Sequence, residues 1–206
     1  MYTPKHFEVK DQAELLEFIK AFPFASLVTN GTEGLNADHI PMRVHVDAEN
    51  RVFLQGHIAK ANTLWQNVAK KADVLVIFQG ENAYISPNWY PSKQRDGKAV
   101  PTWNYQAVHV KGSIEFIYDV EWKLALLEKL TNTHEQTQSA PWSMSDAPQE
   151  YIDRLQAAVV GVEIEVTGIQ GKFKLSQNQS DENKRGVRDG LIETKHPMAE
   201  QIQKVN

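Results

Sequence analysis

The chain has 206 residues, 26 acidic against 22 basic side chains, a formal charge of −4 and no cysteine. A chain of that length buries enough surface to fold without a disulfide or metal staple, so a disulfide framework is excluded and a reducing compartment fits. The acidic balance argues against a strong nonspecific grip on nucleic acid.

The opening residues, Met1 to Glu8, lack the apolar core of a signal peptide. No apolar run approaches the roughly 20 residues of a membrane span. A soluble, cytoplasmic protein with no membrane partner is expected. Asp11-Gln12-Ala13-Glu14 reads as a capping box opening a helix whose apolar face is Leu15, Leu16, Phe18 and Ile19, ended by Pro23. The period then changes to that of strands. Phe24 to Thr29 leads through Asn30-Gly31 and Glu33-Gly34 into a return strand from Leu35 to Val46, and Ala48-Glu49-Asn50 turns the chain into Arg51 to Gly56. Such a meander pairs antiparallel.

Residues 62–72 carry Leu64, Trp65, Val68 and Ala69 at helical spacing, with Asn62 placed as N-cap. Asp73 to Gln79 is a continuous apolar run, the signature of a strand buried on both faces, and Asn82 to Ser86 returns beside it after Gly80. A long strand is predicted over Ala107 to Phe116, with Gly112 marking a bulge or bend. Helices follow over 120–134 and 149–157, then a strand from Val159 to Val166, a shorter one at Phe173 to Leu175, and a helical extension over about 180–206. Six to eight mostly antiparallel strands with few crossover helices predict an α+β protein, a closed barrel flanked by helices. The Rossmann glycine fingerprint is absent.

Between Asn88 and Tyr105 lie two tryptophans and two tyrosines among prolines, read as a loop. Exposed apolar rings are unfavourable by roughly 25 cal/mol per Å², so they need cover from a second subunit, a flat ligand, or both. Over 86–111, Lys93, Arg95, Lys98 and Lys111 face Asp96 alone, a cationic region in an acidic protein.

Three constellations bear chemistry. Gly56-His57-Ile58-Ala59-Lys60-Ala61-Asn62 joins a strand to a helix; it reads either as a phosphate cradle, with Lys60 charge and free helix amides, or as an ordinary turn with a solvated lysine. His39, His57 and His109 lie in or at the ends of predicted strands, but none has the spacing of a zinc motif, and no metal site is assigned. In Gly171 to Asn178, Lys172 and Lys174 share one strand face: either an edge guarded by lysines or a rim for an anionic ligand. The mixed-sign run Asp181 to Asp189 reads as a solvated helix face. No nucleophile elbow or Walker loop appears.

These residues resemble one family. Met1-Tyr2-Thr3-Pro4-Lys5-His6-Phe7, the Gly56–Asn62 motif, Phe78-Gln79-Gly80, Ala83-Tyr84-Ile85-Ser86-Pro87, Trp89-Tyr90-Pro91-Ser92-Lys93, Val100-Pro101-Thr102-Trp103-Asn104-Tyr105 and Lys174-Leu175-Ser176-Gln177-Asn178 are similar to the PaiB-type proteins, FMN-binding negative transcriptional regulators. The resemblance implies a single split β-barrel domain over residues 1–206, of the flavin-reductase and pyridoxamine-oxidase type, that forms a homodimer with FMN between subunits. It places the phosphate on Gly56, His57, Lys60 and Asn62, with His39 and Pro41 near the ring and Gln79 at a ring edge. Trp103, Asn104, Tyr105, Lys174 and Gln177 would come from the facing subunit.

Three functions stay open: a flavin-binding repressor, a flavin-dependent oxidoreductase with His57 or His109 as proton donor, and a haem protein liganded by His39 or His57. No catalytic residue is assigned. Direct DNA binding belongs to the first reading but has no basic stripe behind it.

Overall fold

The computed structural model describes residues 1–203. Eight strands and seven helices occur among them, with three short 3-10 turns. The chain divides into two compact units, one made of Met1–Phe18, Phe78–His109 and Ile169–Asn206, the other of Ile19–Ile77 and Val110–Gly168.

The second unit holds β2 (Phe24–Gly31), β3 (Gly34–Pro41), β4 (Arg43–Val46) and β5 (Val52–Ala59). It also takes part of β6 (Asp73–Ile85), β7 (Thr102–Ile117) and β8 (Val159–Lys174). Strand order is β3-β2-β6-β7-β8-β5-β4. β2 and β3 form a hairpin in the register Ser26↔His39 and Gly31↔Gly34, its turn being Thr32-Glu33. Gly34 takes φ +91, a left-handed conformation that suits glycine.

The two ends of that order are one stretch of chain. β3 and β4 are separated only by Met42, which is fully buried and whose amide bonds the Pro23 carbonyl at 2.9 Å. Before Met42 the strand pairs with β2, and after it with β5, Arg43 opposite Gln55. That change of partner closes the sheet, and a barrel leaves no open edge on either side. Gly56 of β5 permits the closure: a Cβ there would stand 2.8 Å from the Pro41 carbonyl oxygen. The result is an α+β split barrel, mostly antiparallel. Its core includes Leu27, Leu54, Val76, Val110, Val162 and Ile164, all essentially without solvent contact.

Two longer helices and the short α2 (Leu64–Asn67) belong to the same unit. α4 (Val120–Glu135) is capped by Asp119, whose carboxylate accepts from the Trp122 amide at 2.7 Å, and α5 (Gln149–Ala157) starts after Pro148. Trp122 lies against Gly161 of β8, where a side chain would collide with the indole.

The first unit begins with β1 (Glu8–Val9), which pairs with β8 at Lys172 and Gly171. α1 (Gln12–Ala21) starts as predicted, Asp11 accepting from the Ala13 amide at 2.9 Å. At the other end α6 (Asp181–Glu193) and α7 (Ala199–Gln203) form the expected extension; its last positions, 204–206, lie outside the described residues. Phe7, Leu15, Phe18, Phe173, Val187, Leu191 and Met198 are buried in this unit.

Several elements differ from the sequence reading. β6 is one strand of 13 residues without a turn at Gly80, and its burial alternates rather than covering both faces. β8 likewise runs unbroken through 167–172. α2 is a single turn, Leu64–Asn67, instead of an 11-residue helix. The Asn67 carbonyl is taken by the Thr32 amide at 2.9 Å, and Lys71, at φ +62, donates its amide to Ile114. Both bonds pull the chain out of helical geometry. The aromatic segment is loop only in part: it holds the four-residue α3 (Lys93–Asp96), and from Thr102 it is β7. Gly112 permits close approach, since a Cβ there would lie 2.5 Å from the Glu165 carbonyl oxygen.

Candidate functional site

The residues singled out in the sequence fall into two groups, one in each unit. In the second unit, β3 and β5 present His39, Pro41, Gly56 and His57, and the segment after β5 presents Lys60 and Asn62. His39 is exposed, its Nδ1 3.0 Å from the Ser26 hydroxyl. His57 is half-buried and sits opposite Gly161; its Nδ1 is buried with no hydrogen-bond partner. Burial pulls its pKa below the ordinary histidine value, because a desolvated imidazolium is disfavoured.

The Lys60 side chain is exposed, while its amide is already spent on the Ala158 carbonyl at 2.8 Å. Asn62 is fully engaged. Its Nδ2 donates to Asp38 at 2.6 Å, its Oδ1 accepts from the Leu64 amide at 2.9 Å, and its own amide bonds the Ala59 carbonyl. With α2 reduced to one turn, the cation at this bend is the Lys60 ammonium and not a helix terminus. Asp38, next to His39, is a carboxylate that sequence reasoning did not single out. Only its place at the cross-strand neighbour of Leu27 marks it.

In the first unit, β7 and β8 carry the second group. Trp103 is 55 % exposed and Tyr84 of β6 is 49 % exposed; their rings meet edge to face at 5.9 Å. Lys174 donates to the Thr102 hydroxyl and, at 2.7 Å, to the Trp103 carbonyl. Its pKa is lowered by burial and by neighbouring Lys172. Lys172 is buried, its ammonium 5.0 Å from the centre of the Tyr105 ring and 5.7 Å from that of Tyr2. Such cation–π contacts take the place of a counter-ion. Neither lysine forms an ion pair among the described residues. β1 lies against β8 at Lys172, so this segment is not an edge guarded by lysines.

Asn104 is wholly buried and donates to the Ser176 hydroxyl at 2.9 Å, and its Oδ1 is left without a partner. Gln177 is committed internally: it donates to the Phe173 carbonyl and accepts from the Leu175 amide at 2.7 Å, bracing the end of β8. Gln79 is exposed on β6. His109 on β7 has its pKa lowered by burial and by the amino terminus. Tyr84, the partner of Trp103, has no role legible from its motif; that two aromatics on different strands become neighbours is a matter of register, which no local pattern shows. No cluster of three metal-binding side chains occurs among the described residues.

A closed, mostly antiparallel barrel with flanking helices, carrying histidine, lysine and exposed aromatics, defines a split-barrel protein. Solved structures share that fold. The FAD and haem binding protein from Mycobacterium smegmatis has a TM-score of 0.60 at 14% identity, covering 81% of this chain and 73% of that one. The flavocytochrome Anf3 from Azotobacter vinelandii has 0.57 at 13%, covering 84% and 72%. At the sequence level, the Bacillus subtilis "Protease synthase and sporulation protein PAI 2" is 32% identical over 205 residues, covering 98% of this chain and 94% of the relative. The chain belongs to the PaiB-type family described as "Putative FMN-binding domain", which matches residues 1–168.

Proposed function

We propose that the chain binds FMN as a homodimer of single-domain subunits and acts as a flavin-dependent regulator. The observation that carries this reading is the solvent-facing Tyr84–Trp103 pair beside Lys174 and Lys172, two lysines with no ion-pair partner among the described residues. A flavin presents what such a surface lacks, a flat ring for the aromatics, and its dianionic phosphate suits the exposed Lys60 ammonium of the other group. The residues fit the group in a second respect, since the orphaned His57 Nδ1 offers a ring nitrogen awaiting a partner. On this reading Lys60 holds the phosphate, with His57, Gly56, His39 and Pro41 alongside and Gln79 at a ring edge. Asn62 fixes the bend through Asp38 rather than gripping the ligand. Trp103 and Tyr105 of the facing copy cover the ring, while Lys174, Asn104 and Gln177 hold those strands in place.

FMN, when bound, supplies reversible electron or hydride transfer. What this chain's residues contribute is orientation, exclusion of water and, at His57, an imidazole that burial keeps neutral and able to accept a proton. A regulatory role fits the likeness to the Bacillus subtilis protease synthase and sporulation protein. The charge of −4 favours action through a protein partner over a direct grip on DNA. His57 also favours a second reading, a flavin-dependent oxidoreductase, which turnover of a reduced nicotinamide would reveal.

The test is an absorption spectrum of the purified protein before and after addition of FMN, with mass measured by light scattering. Flavin bands on a particle of twice the chain mass are expected. A monomer that takes up no flavin contradicts the proposal, and a Soret band would select haem at His39 or His57.

A further inference from the structure

A cavity of about 260 Å³ opens in the first unit where the Lys98–Thr102 segment faces the approach to α6. It is smaller than the roughly 300–1,000 Å³ that hold drug-sized ligands, so it has no room for a flavin mononucleotide. Its wall carries two cations, Lys98 and Lys174, and no carboxylate. Nearby acids are already used: Glu182 pairs with Arg95, Asp181 with Lys184, and Asp96 accepts from the Lys98 amide. The remaining polar wall is neutral, notably Asn104, Ser176 and Asn183.

Two of these groups show that the wall is built rather than incidental. Asn104 is 0 % exposed, yet its Oδ1 has no hydrogen-bond partner, a cost a folded chain rarely carries without a use. Ser176, which holds Asn104 from the other side, sits at φ +65, a conformation that favours glycine. Asn183 is likewise fixed, its amide group bonded to the Ser92 hydroxyl at 3.0 Å.

We propose that this cavity is a second ligand site, distinct from the flavin surface, for a small anion such as a hydroxy acid or a phosphate. Lys98 and Lys174 take the negative charge, and Ser176 and Asn183 line the neutral part of the wall. Because Lys174 also bonds the Trp103 backbone, occupancy of the cavity bears directly on the strand that presents the exposed ring.

The test is calorimetric titration of the full chain at low ionic strength, with malate and separately with inorganic phosphate, in the presence and absence of FMN. One saturable site per chain is expected for at least one probe, weakened about tenfold or more in Lys98→Glu, since a charge-assisted contact is replaced by repulsion. Ser176→Ala weakens it as well, and Lys98→Glu keeps wild-type FMN affinity. Absence of saturable heat with both probes, or equal affinity in wild type and Lys98→Glu, overturns the proposal. Competition between FMN and the anion also overturns it, by assigning the cavity to the flavin.

Discussion

His57 combines burial with an orphaned ring nitrogen, and both disfavour its charged form in the folded state. The unfolded chain takes up the proton near the ordinary value of about 6.5, the folded chain only at lower pH. Between those values the unfolded state binds more protons, so stability rises with pH across the window and is lost as pH falls through it. His109 acts in the same direction. Urea unfolding between pH 7 and pH 5 is expected to show a falling midpoint, with a shallower fall in His57→Gln; an identical slope in the variant would remove His57 as a source. Lys60 has a different part. Its side chain is exposed, so Lys60→Ala leaves the fold alone and weakens FMN by about 1.5–3 kcal/mol, the value of a charge-assisted contact. Unchanged affinity in a calorimetric titration would take Lys60 out of the site. Both residues were legible in the Gly56–Asn62 motif. What no motif conveys is that Asn62 is committed to Asp38 across 24 positions.

α6 illustrates why an element can look featureless in sequence. Its mixed-sign run reads as a solvated face, yet Gly186 and Gly190, one turn apart, admit Trp89. A Cβ on Gly186 would meet the Trp89 carbonyl, and one on Gly190 would fall within the indole. In an open helix, Gly→Ala gains about 1 kcal/mol. Here the collision wins: Gly190→Ala is expected to lower stability by about 1–3 kcal/mol, the usual cost of overpacking, read from the urea midpoint. A stabilised variant would show that Trp89 moves aside freely. The strands tell a related story. The hairpin of β2 and β3 and the helix at 149–157 follow from period and turn residues, whereas the change of partner at Met42 falls inside what reads as one strand from Leu35 to Val46. β6 and β8 each read in sequence as two strands because Gly80 and the Gly168–Gly171 stretch resemble turns, whereas neighbouring strands keep the chain extended there. α2 was overextended for the opposite reason: its helical spacing is real, but the Thr32 amide and Ile114 compete for its backbone. Local pattern fixes what a segment favours, and distant backbone partners decide where it stops.

At the scale of the whole molecule, the chain closes a barrel through one buried methionine and still leaves a tryptophan and a tyrosine largely in solvent. No helix among the described residues is long and apolar enough to cross a membrane, so nothing helical directs those rings to a bilayer. Trp103→Ala therefore is expected to cost flavin affinity or dimerisation while leaving the melting temperature within a few degrees, as for an exposed side chain. A variant that keeps dimer and flavin but melts far lower would make Trp103 part of the core.

The composite site is tested most directly by mixing the two variants. Lys60→Ala impairs one half of each site and Trp103→Ala the other. In a mixed dimer both lesions gather at one site and leave the second intact. Exchange of subunits is expected to restore tight FMN binding to about one site per mixed dimer, a count that follows from twofold symmetry. If flavin fluorescence titration shows no recovery after exchange, the two groups do not meet across subunits and the account fails.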